Sequence, residues 1–185
     1  MFRTISEHGL QFIKGWEALR LYAYPDPRSD LAMQSQSVRR RWGMEPASAI
    51  LADLPEPVRL LSGAPWTIGY GHTGDVKPDD HITEHQAEEL LRFDLSPIEV
   101  GVNNVGIPLT QNQFDALCSA CFNLGTGILQ THRSLGMALR GVESTPGDAL
   151  LLYDHAGGHR DPGLTRRRKA EKRLYETPDE ENGNA

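Results

Sequence analysis

Cysteine is nearly absent from this chain. Two residues in 185, Cys118 and Cys121, cannot build a disulfide framework. Positive charge is not in excess either: 19 lysines and arginines face 25 acidic residues, for a net charge of -6. That balance argues against a chain that binds nucleic acid through its overall charge. Aromatic residues are few, at 7%, and hardly interleave with the basic ones, so no base-stacking platform is visible. No apolar run approaches the ~20 residues of a helical membrane span. The first residues, MFRTISEHGLQFIKGW, hold no unbroken apolar stretch of the kind that drives secretion. The expectation is synthesis in the cytoplasm, with no cleavable secretion signal visible. No HExxH zinc motif occurs. What remains, 38% hydrophobic and 24% charged residues, suits one globular domain, or one domain cut by a cleft.

Patterning along the chain gives the elements. Thr4-Ile-Ser-Glu7 has the form of a capping box, and the apolar spacing after it predicts a helix over 5–16, ending near Glu17. Leu21-Tyr-Ala-Tyr24 alternates like a short strand, which Pro25-Asp26-Pro27 ends. Residues 28–65 carry Arg39-Arg40-Arg41 and four prolines. They read as an insertion between two pieces of one small sheet, with a short helix over 47–54. The expectation is a mobile surface loop with a positive face; the functional alternative is a lid or a contact to an anionic polymer. After Trp66-Thr-Ile-Gly-Tyr-Gly-His72 the chain turns helical. Thr83-Glu-His-Gln86 and Thr110-Gln-Asn-Gln113 are capping boxes. Phe114, Leu117, Cys118 and Cys121 then recur at the spacing of a buried helix face, closed by Gly125. Further helices are expected over 130–140, over 146–154, and from Thr165 to Pro178, followed by a polar, unstructured tail.

Several motifs compete for chemistry. Cys118-Ser-Ala-Cys121 has redox spacing, but lies two turns past a helix start on an apolar face, which favours core cysteines. His81 and His85, and His155 and His159, are four apart; solvated histidines are the preferred reading over a zinc pair. In Arg166-Arg-Arg-Lys169, with Lys172 and Arg173, Arg167 is expected inward and the others outward. Glu17 and Asp26 flank the aromatic strand. A four-residue strand spans roughly 13 Å, so the two carboxyls can face one groove at the separation used by inverting glycosidases.

The string Phe12-Ile-Lys-Gly-Trp-Glu17-Ala-Leu-Arg-Leu-Tyr-Ala-Tyr-Pro-Asp26, followed by Trp66-Thr-Ile-Gly-Tyr-Gly-His-Thr73, resembles the phage-type lysozymes, the T4-lysozyme-like endolysins of glycoside hydrolase family 24. The resemblance runs on through Pro108-Leu-Thr-Gln-Asn-Gln-Phe-Asp-Ala-Leu117, Phe122-Asn-Leu-Gly125 and Gly163-Leu-Thr-Arg-Arg-Arg168, over about residues 4–176. It implies a mainly helical α+β, lysozyme-like two-lobed fold, with a small N-terminal antiparallel sheet and a larger helical lobe. Residues 1–176 would form a single domain with an insertion at about 28–65, and 177–185 a polar tail.

The implied activity is hydrolysis of the β-1,4 bond between N-acetylmuramic acid and N-acetylglucosamine in bacterial peptidoglycan, causing host lysis. By position, Glu17 would be the general acid and Asp26 the residue that activates water. Thr67 would hydrogen-bond that water, and His72 would support the sheet and Asp26. Asn123 would bind glycan and Arg167 would steady the acid. Inversion is the expected stereochemistry. No cofactor or metal is implied. The implied partners are peptidoglycan glycan strands and a holin-like membrane protein that releases a monomeric enzyme to the cell wall in the periplasm; no nucleic acid is expected. The alternative is a non-catalytic peptidoglycan-binding module on the same fold. Four features depart from the family pattern: Ala18 where glycine is usual, the long gap from Asp26 to Thr67, the Gln130–Leu135 block, and Asp154 where an apolar residue is expected.

Overall fold

In the computed structural model, which describes residues 2–142 and 144–179, the chain forms two compact units, one of residues 1–16 and 95–185 and one of residues 17–94. The fold class is α+β and mainly helical.

The first unit is helical. α1 (Glu7–Lys14) starts two residues later than the capping-box reading predicts, because Ser6 and not Thr4 is the cap. The Ser6 hydroxyl accepts from the Gly9 N–H at 3.0 Å and itself donates to the buried carboxylate of Asp115. Gly9 is required there: a Cβ would sit 2.4 Å from Asp115 Cγ. Asp115 lies on α6 (Gln111–Leu124), which begins at the predicted Thr110 capping box and ends where Gly125 turns left-handed (φ +79°). α6 buries Phe114, Leu117, Cys118 and Cys121, as their spacing requires. Burial raises the pKa of both thiols, that of Cys121 to about 12, so they are inert core residues.

α6 packs on α9 (Pro162–Glu176), and α9 on α8 (Pro146–Leu150), which also meets α7 (Ser134–Leu139). α9 starts earlier than predicted because Asp161, not Thr165, caps it: Asp161 Oδ1 accepts from Leu164 N–H at 2.8 Å. The region predicted as one helix to residue 154 stops at α8. A hairpin follows, β3 (His155–Ala156) against β4 (His159–Arg160). Asp154 explains it. Its buried carboxylate accepts from Thr165 Oγ1 (3.0 Å) and pairs with Arg160 Nε (2.9 Å) and His155 Nδ1 (2.8 Å). An acid thus fills the position where an apolar residue was expected. Residues 180–185 of the expected tail lie outside the described residues, but Asp179 is well engaged: its carboxylate accepts from Gln111 and Asn112 N–H at 2.7 and 2.9 Å, at the start of α6.

The second unit is built on a two-stranded antiparallel sheet, β1 (Arg20–Pro25) against β2 (Trp66–Gly69). Residues 28–65 connect these strands, as predicted, but they are not a mobile loop. They fold into α2 (Asp30–Gln34), a 3-10 turn (Gln36–Val38), α3 (Ala47–Ala52) and α4 (Glu56–Arg59). Leu31, Trp42, Ala47, Ile50 and Leu54 from this segment bury against Ala23, Trp66 and Ile68 of the sheet. A two-stranded hairpin alone is marginal in water, and the insertion supplies the apolar layer it needs. Of the Arg39-Arg40-Arg41 run, Arg41 is tied down by Glu45 (2.9 and 2.7 Å) and Asp53 (2.6 Å). α5 (Glu84–Asn103), opened by the Thr83–Gln86 capping box, carries the chain out of this unit. Among the described residues no helix is long and apolar enough to cross a membrane, and no cluster of three or more His, Cys, Asp or Glu could hold a metal ion.

Candidate active site

The strand pair of the second unit sets the site. Five residues of β1, Arg20 to Tyr24, span the same length as three of β2, Gly69 to Thr67, so the ladder is irregular between Arg20 and Tyr24. That irregularity brings Tyr24 opposite Thr67. Glu17 precedes the strand and Asp26 follows it. The Tyr24 phenol is raised in pKa chiefly by burial; the positive charge of Arg20 opposes this, and the negative charges of Glu17 and Asp26 both add to it. One phenol, opposite Thr67, therefore feels both carboxylates. The alternation in Leu21-Tyr-Ala-Tyr24 predicts this strand, but no local pattern in it distinguishes Tyr24.

Asp26 is held by its own backbone. Its N–H donates to Gly63 O (3.1 Å) and Pro65 O (3.0 Å), and its carbonyl accepts from Ser29 N–H (2.9 Å). Its Oδ1 accepts from Arg28 N–H at 2.6 Å, which fixes the carboxylate plane. The flanking prolines leave this turn little freedom. Ala18, where the family has glycine, does not adopt a left-handed backbone, so the added methyl causes no backbone strain.

Glu17 lines a cavity of about 430 Å³ with Ala18, Arg20, Tyr24, Pro25 and Pro27. The inserted segment gives it Ala32, Gln36, Arg39 and Trp42, and the turn after β2 gives Tyr70 and Gly71. None of these insertion or turn residues was expected at the site. Asp26 and Thr67 are not among the lining residues.

His72 follows β2. Its backbone pairs with Ile68 in both directions (2.8 and 2.9 Å), and its ring bonds to Asp94 (2.9 and 3.0 Å) and to Gly74 O (3.0 Å). These contacts brace the end of the sheet against α5, and none of them runs to Asp26. Asn123 and Arg167 belong to the first unit. Asn123 is exposed near the end of α6. Arg167 is buried, donating to Glu171 Oε1 (3.2 Å) and Ser119 O (3.4 Å). The expectation that its basic neighbours all face outward is overturned by Arg168. That side chain is fully buried, with Nε 2.7 Å from Glu171 Oε2, because Glu171 is itself buried and needs a counter-charge. His81, His85, His155 and His159 are all exposed.

Residues 55–171 match the family described as phage lysozyme. The chain belongs to the phage lysozyme family. It is accordingly a glycoside hydrolase of the lysozyme type. The matched stretch includes Thr67, His72, Asn123 and Arg167, whereas Glu17 and Asp26 precede it. Longer likenesses cover them. An endolysin of Acyrthosiphon pisum secondary endosymbiont phage 1 is 35% identical over 178 residues, covering 94% of this chain and 98% of the relative. Among solved structures, the muramidase domain of SpmX from Asticaccaulis excentricus is 33% identical with a TM-score of 0.68, covering 95% of this chain and 99% of that one. A mutant of P22 lysozyme is 29% identical, with the same TM-score and coverages.

Proposed function

We propose that this chain is a muramidase of the endolysin type, which hydrolyses the β-1,4 bond between N-acetylmuramic acid and N-acetylglucosamine in bacterial peptidoglycan and thereby lyses the host cell. The observation that carries the reading is the placement of Glu17 just before β1, Asp26 just after it and Thr67 opposite Tyr24 on the paired strand, beside a cavity that Glu17 lines. The relatives called endolysin and muramidase domain support the choice of polymer.

In this reading Glu17 protonates the leaving glycosidic oxygen. Asp26, with Oδ1 engaged by a backbone N–H, offers its other oxygen to a water molecule and stabilises the oxocarbenium-like transition state. The Thr67 hydroxyl, able to donate and accept, orients that water. Attack through water and not by the carboxylate inverts the anomeric centre. Two carboxylates and a positioned water suffice for this chemistry. Asn123, exposed on α6, contacts glycan. Residues 1–176 act as one lysozyme-like domain and as a monomer. A holin-like membrane protein releases the enzyme from the host cytoplasm to the wall.

Clearing of permeabilised cell walls tests the reading. Glu17→Gln removes the acid while keeping its size, and a lost general acid costs about 10²–10⁴ in rate. Wild-type protein that sediments with walls without clearing them would favour the binding module, and clearing by Glu17→Gln at the wild-type rate would remove Glu17 from the mechanism.

A further inference from the structure

The cavity beside Glu17 is walled on one side by the inserted segment, and that wall carries a charge the hydrolysis does not use. Arg39 lines it just after the 3-10 turn, three residues before Trp42. Arg41 nearby is committed to Glu45 and Asp53, whereas the exposed Arg39 guanidinium has no carboxylate partner among the described residues. Arg20 lines the same cavity. Its stem lies against Gly43 of the insertion, where a Cβ would approach Arg20 Cδ to 2.5 Å, and its Nη1 meets Met44 Sδ at 3.3 Å. Arg20 likewise has no carboxylate partner among the described residues. The cavity is therefore lined by two guanidinium groups and one carboxylate. The wall is not a loose lid: Leu31 and Trp42, on either side of Arg39, are buried in the core of the unit.

We propose that this cavity is an anion subsite, in which Arg39, assisted by Arg20, holds a carboxylate borne by a substituent on the glycan strand. The proposal rests on the muramidase reading, because such a strand carries carboxylates on its stem peptides, and on its lactyl ethers where no stem peptide is attached, whereas its sugar rings are neutral. A planar guanidinium matches a carboxylate in a two-bond fork, which an ammonium group cannot reproduce. The insertion then serves as a specificity element, making the enzyme prefer strands that carry acidic substituents.

The test is calorimetric binding of three soluble ligands: a muramyl disaccharide with a free lactyl carboxylate, a disaccharide carrying its stem peptide, and that disaccharide-peptide with every carboxylate amidated. Wild type, Arg39→Ala and Arg39→Lys are compared, with a thermal melt confirming that each is folded; Arg39 is exposed, so the melts are expected to coincide. Wild type is expected to bind at least one carboxylate-bearing ligand about ten-fold more tightly than the amidated one. Arg39→Ala should lose that preference, and Arg39→Lys should recover only part of it. Loss confined to the peptide-bearing ligand assigns the stem carboxylate, and loss with the first ligand assigns the lactyl group. Equal loss for all three ligands, or no loss for any, overturns the subsite. If the preference holds but sacculi are not cut, the subsite stands and the hydrolase reading falls.

Discussion

Glu171→Leu should be among the most damaging single changes in this protein outside the candidate active site. Its carboxylate is fully buried between α6 and α9, where it accepts from Ser119 Oγ (2.8 Å), Arg167 Nε (3.2 Å) and Arg168 Nη2 (2.8 Å). Burial pushes this carboxyl above its ordinary range, and the pull of Arg168, Ser119 and Arg167 offsets only part of that. The charges are therefore held together at a real desolvation cost. Removing the acid takes its charge away from two buried guanidiniums at once, and breaking a buried pair in this way costs about 3–5 kcal/mol. For a chain of this length that is a fall in Tm of roughly 6–20 °C. Arg168→Leu leaves Glu171 with Arg167 and Ser119, so it should cost less, about 1.5–3 kcal/mol. The double variant removes the pair together and should fall short of the summed losses by about 1–3 kcal/mol. Urea unfolding of the four proteins measures this directly. Single losses that add to within about 0.5 kcal/mol, or a Glu171→Leu protein as stable as wild type, would refute the reasoning.

Ile50→Ala, in the inserted segment, should destabilise by about 2–5 kcal/mol, because Ile50 is wholly buried; a loop merely laid on the surface would lose almost nothing in the same urea titration. Asp179→Ala should cost about 1 kcal/mol as a lost cap on α6. The pH dependence has a definite sign. The N–H groups of Asn112 and Gln111 hold the Asp179 carboxyl below its ordinary value, and the Lys172 hydrogen bond does the same for Asp148. Depressed acids stabilise fully above the unfolded pKa of about 4, and that stability is lost as pH falls through their lower folded values. Unfolding curves between pH 2 and 7 should show it, with a smaller acid loss in an Asp148→Asn, Asp179→Asn double variant and a smaller effect at high salt. Finally, Cys118 and Cys121 should resist iodoacetamide in the native protein and react fully in denaturant; rapid native labelling would contradict their burial.

The parts of this molecule written in local pattern were legible in its sequence. The Thr83 and Thr110 capping boxes, the apolar stripe of α6 and the strand before Asp26 each need only neighbours within a turn or two. What escaped was decided by distant partners. Thr4-Ile-Ser-Glu7 satisfies the capping pattern, but the Asp115 carboxylate, far along the chain, recruits Ser6 instead. Asp154 looks misplaced until Arg160, His155 and Thr165 are seen around it. The insertion, rich in proline and arginine, hides a core that only the sheet completes: its apolar residues are spaced too irregularly to show one face. At the candidate site, it is the resemblance that proposes Glu17, Asp26 and Thr67. The place of Tyr24 among them depends on the strand irregularity, and that of Arg39 on the fold of the insertion, neither of which any local motif encodes.

The most direct measurement is digestion of purified sacculi in water enriched in ¹⁸O, by wild type and by Glu17→Gln, with mass spectrometry of the soluble fragments. The account predicts muramic acid reducing ends carrying one heavy oxygen per cut from wild type, and essentially none from the variant. Anhydro-muramic ends, released free peptides, or full digestion by the variant would contradict it.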